Sequence, residues 1–299
     1  MKSELKIVFF GNTKYSVINE EALHKKFGLT LVVTIPDRPT GRKRKLTANP
    51  VKNFAIDNNI PFLTFEKLAP AAIKTIKQFN NLTIDFIVVA DYGLILPNQV
   101  LELPKYAAIN VHHSLLPKYR GPSPATTAIL NGEKISGVTI IKMTWDVDAG
   151  DILAQEDYEL KPDETTDSLL TELNKLGSQL AINVIQGATL IEGDTLKGRK
   201  QDESLATYTK RFTKEDGRID LADPPNPIAL DRMVRAFHPW PGVWTEVELR
   251  IMNQELRKMK LRFLPGNLIQ PEGKKPMEIK DFLNGYPQLQ EMIDKLFKH

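Results

Sequence analysis

The run Ile84-Asp85-Phe86-Ile87-Val88-Val89-Ala90 carries most of the information about the fold. It is rich in β-branched and aromatic residues and is apolar on both faces. A strand with one wet face alternates apolar and polar side chains. A continuous apolar run instead marks a strand inside a parallel sheet covered by helices. The neighbouring sequence repeats the signal. Leu5–Phe10, Leu29–Ile35, Pro61–Phe65, Ala107–Val111 and Gly137–Met143 read as further strands. Helical patterns lie between them at Ala22–Phe27, Pro50–Asn58 and Pro70–Phe79, with Pro70 suited to a first helical position. Asp163–Gln186 is the clearest helix. Leu169, Leu173, Leu176, Leu180, Val184 and Ile185 recur at helical spacing, Thr165 or Thr166 is placed to cap the start, and Gly187 to stop it. Alternating strands and helices predict an α/β fold with a doubly wound, mostly parallel sheet.

The pattern changes after this helix. Glu192–Thr209 is polar and charged and reads as a linker. Beyond it come a helix around Ala229–Phe237, strands at Val243–Leu249 and Lys258–Phe263, and a terminal helix with Leu289, Met292, Ile293, Leu296 and Phe297 on one face. The expected organisation is a first domain over 1–191, a linker over 192–207 and a second domain over 208–299. A chain of 299 residues fits that division at about 100–200 residues per domain. With 41% hydrophobic and 26% charged residues and a net charge of +3, the composition excludes disordered, collagenous and coiled-coil classes. Cysteine is absent, which removes disulfides, thiolate metal sites and a cysteine nucleophile. No stretch approaches the roughly 20 apolar residues of a membrane span, and Ile7–Phe10 is too short for a signal segment. A cytoplasmic monomer, with no membrane partner and no metal, is expected.

Four segments carry candidate chemistry. The first strand–helix junction, Gly11-Asn12-Thr13-Lys14-Tyr15-Ser16, lacks the glycine spacing of a dinucleotide site, and no Walker A pattern occurs anywhere. Gly11 reads equally well as a plain turn glycine. Asn110 and His112 stand two apart at the end of a strand and therefore project from the same face, at the sheet edge where such folds bind ligands. An amide donates to a developing oxyanion, and an imidazole donates or shuttles a proton. His113 is expected to face the other way, in packing or capping. Asp146, Asp148 and Asp151 surround a turn after the Gly137–Met143 strand, and one of them could orient the imidazole. Their alternation resembles a calcium loop but lacks its downstream Glu. Finally, Arg38, Arg42, Lys43, Arg44 and Lys45 crowd a Pro- and Gly-containing stretch, read as a protruding mobile loop suited to a polyanion.

At these residues the sequence resembles the folate-dependent formyltransferases, most closely the methionyl-tRNA formyltransferases. The resemblance rests on Pro36–Arg42, Asp91–Pro97, Asn110–Gly121 and Asp148–Asp151, and further on Lys214–Asp220, Arg235–Gly242 and Glu272–Met277. It runs in order along nearly the whole chain. It implies a Rossmann-like domain binding 10-formyltetrahydrofolate, and a smaller C-terminal barrel-like (OB-like) domain binding tRNA. It implies Asn110, His112 and Asp148 as the catalytic trio. Tyr92, Gly93, Leu94, Ile95, Leu96 and Pro97 would lie against the pterin, and Ser114, Leu115, Leu116 and Pro117 would form part of the folate site. Arg38, Arg42, Lys43, Arg44 and Lys45 match a loop set against the acceptor end of initiator methionyl-tRNA. Two departures stand out: Gly11-Asn12-Thr13 replaces the usual Gly-Thr-Pro, and the stretch between Trp244 and Leu268 is shorter than usual, which predicts a reduced barrel.

The activity implied is direct aminolysis. The α-amine of methionine attacks the formyl carbon, Asn110 and His112 stabilise the oxyanion, and Asp148 holds the imidazole while the proton moves to N10. Three alternatives remain at this point: formylation of an amino-sugar nucleotide or other small amine, hydrolysis of the formyl folate, and an RNA-binding module without chemistry. The basic loop and Lys214–Asp220 weigh against the first, and the trio Asn110, His112 and Asp148 against the last.

Overall fold

A computed structural model describes residues 5–40, 45–79, 83–189, 196–250 and 256–297. They form two compact units, one comprising 1–121, 136–158 and 170–208, the other 122–135, 159–169 and 209–299.

The first unit is built on a seven-stranded sheet. In chain order its elements begin with β1 (Ile7–Phe10), α1 (Ser16–Phe27), β2 (Leu31–Thr34), β3 (Arg38–Thr40), β4 (Lys45–Thr47), α2 (Pro50–Asp57), β5 (Phe62–Thr64) and α3 (Pro70–Gln78). They continue with β6 (Phe86–Val89), α4 (Asn98–Leu101) and β7 (Ala107–His112), and after α5 (Pro124–Asn131) with β8 (Ile135–Lys142), β9 (Ile152–Glu159) and α6 (Thr166–Ala188). The strand order is β5-β2-β1-β6-β7-β8-β9. The first five strands pair in parallel, with Ile7 beside Phe86 and Val88 beside Ile109. β8 runs antiparallel to β7, with His112 opposite Thr139. Alternate residues feed two separate cores. Phe9, Val32, Val88, Ile109 and Val111 pack with Leu23, Ala55, Ala181 and Ile185, while Phe10, Val33, Val89 and Ala108 pack with Ile73, Ile76 and Val100. The doubly apolar strands of the sequence are thus accounted for.

The main strands and helices stand where the sequence places them, with four differences. α6 continues through Gly187 to Ala188, because a glycine near a helix end costs only about 1 kcal/mol, which the long buried face before it outweighs. β9 and α5 carry no clear sequence signal. β9 is an edge strand whose outer residues, such as Glu156 and Asp157, are exposed, and α5 is a short Thr-containing helix opened by Pro124. The basic stretch, read as a loop, is flanked by the antiparallel pair β3–β4. Arg42, Lys43 and Arg44 lie outside the described residues. The segment read as a linker is bound to the first unit in its described part: Arg199 bridges Ile152, and Thr207 O accepts from Arg120 N at 2.8 Å.

Gly11 is fixed by packing rather than by a ligand. A Cβ there would come within 2.8 Å of the Phe9 ring and of Ser16 Cβ. The substituted turn is locally satisfied, since Thr13 and Ser16 exchange backbone-to-hydroxyl hydrogen bonds at 3.1 Å.

The second unit contains α5, α7 (Pro227–Ala236), β10 (Val243–Arg250), β11 (Leu256–Leu264), β12 (Leu268–Pro271), β13 (Met277–Glu278), α8 (Ile279–Gly285) and α9 (Gln290–Phe297). The reduced barrel takes the form of a four-stranded antiparallel sheet in the order β10-β11-β12-β13. One face carries Val243, Val247, Leu261, Phe263 and Ile269 into a core with Leu230, Val234, Phe282 and Ile293. α5 joins this unit because Leu130 packs on the same core. Among the described residues no helix is long and apolar enough to cross a membrane.

Candidate active site

β7 delivers Asn110 and His112 to the carboxyl edge of the sheet. Asn110 pairs with Val89 of β6 and projects from the same face as His112. The turn after β8 brings up Asp148, whose backbone is left-handed at φ +51°, a conformation Asp tolerates better than most residues. Gly150 follows because a Cβ there would run into the Lys142 carbonyl. The three side chains meet. Asn110 Nδ2 donates to Asp148 Oδ1 at 3.4 Å, and His112 Nδ1 lies 3.6 Å from Asp148 Oδ2. Gly121 N donates to that same Oδ2 at 2.8 Å.

His112 is 5% exposed and stands between two acceptors. Its Nε2 is 3.0 Å from Tyr119 O, and its Nδ1 faces the Asp148 carboxylate. A neutral imidazole has one N–H. The shorter contact assigns that proton to Nε2, leaving the Nδ1 lone pair toward Asp148. Burial pushes the His112 pKa down; Asp148 and the Tyr119 carbonyl pull against that without overcoming it. The resting ring is therefore neutral, and an added proton at Nδ1 would find a carboxylate waiting.

The segments expected to hold folate are only partly exposed. Tyr92 packs edge-on against Phe10 and is buried, as is Leu96; Leu94 and Pro97 are half-buried; Gly93 and Ile95 face outward. Ser114 and Leu116 are buried and Leu115 and Pro117 half-buried, with Ser114 Oγ donating to Lys118 O at 2.6 Å and Leu116 N to Thr139 Oγ1 at 3.2 Å. His113 does more than pack. Its Nδ1 is 3.5 Å from Asp91 Oδ1. Its Nε2, Asp91 Oδ2 and the Tyr92 hydroxyl are buried with no hydrogen-bond partner among the described residues. Burial alone raises the Tyr92 pKa further above the ordinary phenol range. Three unsatisfied polar atoms at the ends of β6 and β7 are what a polar heterocycle would satisfy.

Sequence reading missed the groups that hold the trio. Arg120 is fully buried although charged. It forms a two-pronged pair with Glu203 at 2.7 and 2.8 Å. Gln201 accepts from Arg120 and donates to the Asp148 and Gly150 carbonyls, each at 2.7 Å. An Arg flanked by Tyr and Gly had no pattern to mark it as buried. Gln201 and Glu203 sat in a stretch whose polarity suggested a linker.

Of the basic residues, Arg38 is exposed on β3, and its neighbour Asp37 is neutralised by Lys52 at 2.8 Å. Lys45 begins β4. A second cationic group lies in the second unit. Lys260 stands 3.3 Å from the Trp244 ring centroid, with Lys214 at 5.6 Å and Arg218 at 5.7 Å. Trp244 Nε1 donates to Lys214 O, and Arg262 sits directly across the strand pair. Burial, then repulsion from Lys214, lowers the Lys260 pKa.

Comparison with known proteins gives a consistent result. A family model described as formyl transferase matches residues 5–185, and one described as its C-terminal domain matches 211–267. The methionyl-tRNA formyltransferase of Chloroflexus aggregans is 42% identical over 271 residues, covering 89% of this chain and 85% of its own. That of Methylococcus capsulatus is 35% identical over 309 residues, covering 94% and 97%. Among solved structures, an N-formyltransferase from Helicobacter canadensis in complex with folinic acid and dTDP-3-aminofucose matches with a TM-score of 0.59 and 19% identity over 86% of this chain and 95% of that one. HypX from Aquifex aeolicus in complex with tetrahydrofolic acid matches with a TM-score of 0.59 and 15% identity over 95% of this chain and 48% of that one. These structures share the fold.

Proposed function

The chain belongs to the methionyl-tRNA formyltransferase family, and from that premise we propose how its residues carry the reaction. It transfers a formyl group from a folate co-substrate to the free amino group of methionyl-tRNA. The donor is 10-formyltetrahydrofolate and the acceptor the initiator tRNA. The observation that carries the assignment is the meeting of Asn110, His112 and Asp148, with Tyr119 O on the far side of the imidazole.

The α-amine bonds to the formyl carbon, and the carbonyl π pair moves to oxygen. Asn110 has two amide protons; one points to Asp148, and the other donates to this oxyanion, a task that His112, expected from the sequence to share it, gives up because its two ring nitrogens face Tyr119 O and Asp148. His112 takes the amine's proton at Nδ1, directly or through one water. The imidazolium then donates to both Tyr119 O and Asp148, so the charge that burial opposes is matched as it forms. Collapse breaks the bond from carbon to N10, and His112 returns the proton to that nitrogen. No enzyme nucleophile takes part. Holding the two substrates together supplies much of the rate, since orientation is worth about 7–11 kcal/mol.

The pterin lies along Tyr92, Gly93, Leu94, Ile95, Leu96 and Pro97, and the folate also meets Ser114, Leu115, Leu116 and Pro117. The unsatisfied atoms of Asp91, Tyr92 and His113 support a polar ligand there. Arg38 and Lys45, with Arg42, Lys43 and Arg44 between them, contact the acceptor end. The C-terminal residues from 208 onward add grip on tRNA phosphates, a role supported by the cations around Trp244, none of which is within ion-pair distance of a carboxylate among the described residues. The protein works as a cytoplasmic monomer.

The test offers the protein 10-formyltetrahydrofolate with methionyl-tRNA, with an amino-sugar nucleotide, and with no acceptor. Formyl-methionyl-tRNA as the main product is expected. Turnover of the folate at the same rate without tRNA would overturn the assignment in favour of hydrolysis.

A further inference from the structure

We infer that Gln201, locked by Arg120, is a positioning residue for the proton transfer at His112. The inference rests on the aminolysis reading above and assigns a task to a segment that the reaction itself does not use. The two acceptors that flank the imidazole come from different parts of the chain. Tyr119 O belongs to the turn after β7, and the Asp148 carboxylate to the turn after β8. Their separation must be held within a few tenths of an ångström for a proton to pass at Nδ1 and be matched on arrival.

Gln201 ties the two turns together. Its Nε2 donates to the carbonyls of Asp148 and Gly150, fixing the left-handed turn from behind. Its Oε1 accepts from Arg120 Nε at 3.1 Å and Nη2 at 2.9 Å. Arg120 stands between Tyr119 and Gly121, so its neighbours supply the acceptor for Nε2 and the donor to Asp148 Oδ2. The rest of the guanidinium is held by Glu203 and by the Tyr208 hydroxyl at 3.3 Å. Backbone bonds from Tyr119 and Arg120 to Thr207 close the arrangement. The contacts form a ring: Asp148 carboxylate, Gly121, Arg120, Gln201, Asp148 carbonyl. Only an amide fits the link, because it must accept from a guanidinium at one end and donate to two carbonyls at the other.

Two substitutions separate positioning from mere tethering. Gln201→Met keeps the volume and loses both functions. Gln201→Glu keeps the acceptor for Arg120 but cannot donate to the Asp148 and Gly150 carbonyls. Both variants are expected to lose about tenfold to a hundredfold in kcat, since a misplacement near 1 Å costs that much, with KM for tRNA and folate changed less than about threefold. In Gln201→Met the NMR titration of His112 should also move to lower pH, because Asp148, which raises its pKa, is no longer held beside it. That readout needs no activity and keeps the two claims apart: a wild-type protein without formyl transfer defeats the aminolysis reading, whatever the variants do. Wild-type kcat and an unmoved His112 titration in Gln201→Met would overturn the inference. So would a fully active Gln201→Glu beside an inactive Gln201→Met, which would leave Gln201 as an anchor for Arg120 alone.

Discussion

His112 shows how a buried titratable group is made useful. Its surroundings disfavour a resting charge yet offer two acceptors to a transient one. The sequence made Asn110 and His112 legible because a spacing of two on a strand has a single geometric meaning. It left Tyr119 illegible because the atom that meets the imidazole is a backbone carbonyl, which every residue has. Glu20 of α1 is the contrasting case. It is fully buried, neither carboxylate oxygen has a hydrogen-bond partner among the described residues, and burial pushes its pKa from 4.5 up to about 9. A carboxyl raised in the folded state contributes full stability below about pH 4.5, where both states are protonated, and loses it progressively up to about pH 9. Glu20→Gln should therefore leave stability at pH 4 nearly unchanged and raise it at pH 8 by about 5 kcal/mol at most, read by denaturant unfolding at the two pH values. An equal change at both would mean that Glu20 ionises freely in the fold.

At the scale of elements, residues with two buried faces announce themselves and those with one do not. β1, β2 and β6 are nearly continuous apolar runs, and β7 is apolar as far as Asn110, so all four were legible. β9 lies at the sheet edge, where half-exposed and charged positions satisfy the pairing, and carries no clear strand signal. The segment from 196 to 208 has no regular pattern, because apart from Leu196, which packs on the core, it is held largely by side-chain bonds to Arg120 and Asp148. The β10–β11 pair carries Val243 and Val247 inward and Trp244 outward under its cations. If that face meets tRNA phosphates, replacing Lys214 and Lys260 by Ala should weaken tRNA binding at low salt and reduce the slope of log affinity against log salt by about 1 for each lost contact. An unchanged slope, measured by filter binding over a salt series, would remove this face from the tRNA site.

For the molecule as a whole, length and composition say nothing of how the chain is shared between the two units. Residues 122–135 and 159–169 leave the first unit's sequence range to join the second, because Leu130 and the hydroxyl of Thr166, which donates to Ala236 O at 2.6 Å, find their partners there. Such long-range choices leave no local trace. The net charge of +3 was equally uninformative, since it says nothing of local grouping, such as the three cations around Trp244. The missing cysteine, by contrast, agrees with a reaction that passes from amine to formyl carbon without an enzyme nucleophile.

The proposed reaction turns on a proton passed to His112. The most direct test is the single-turnover rate of formyl transfer to methionyl-tRNA by His112→Ala, at saturating folate and tRNA, with circular dichroism to confirm the fold. A fall of about 10²- to 10⁴-fold with substrate binding retained is the predicted result. A folded variant that transfers formyl at close to the wild-type rate would contradict it.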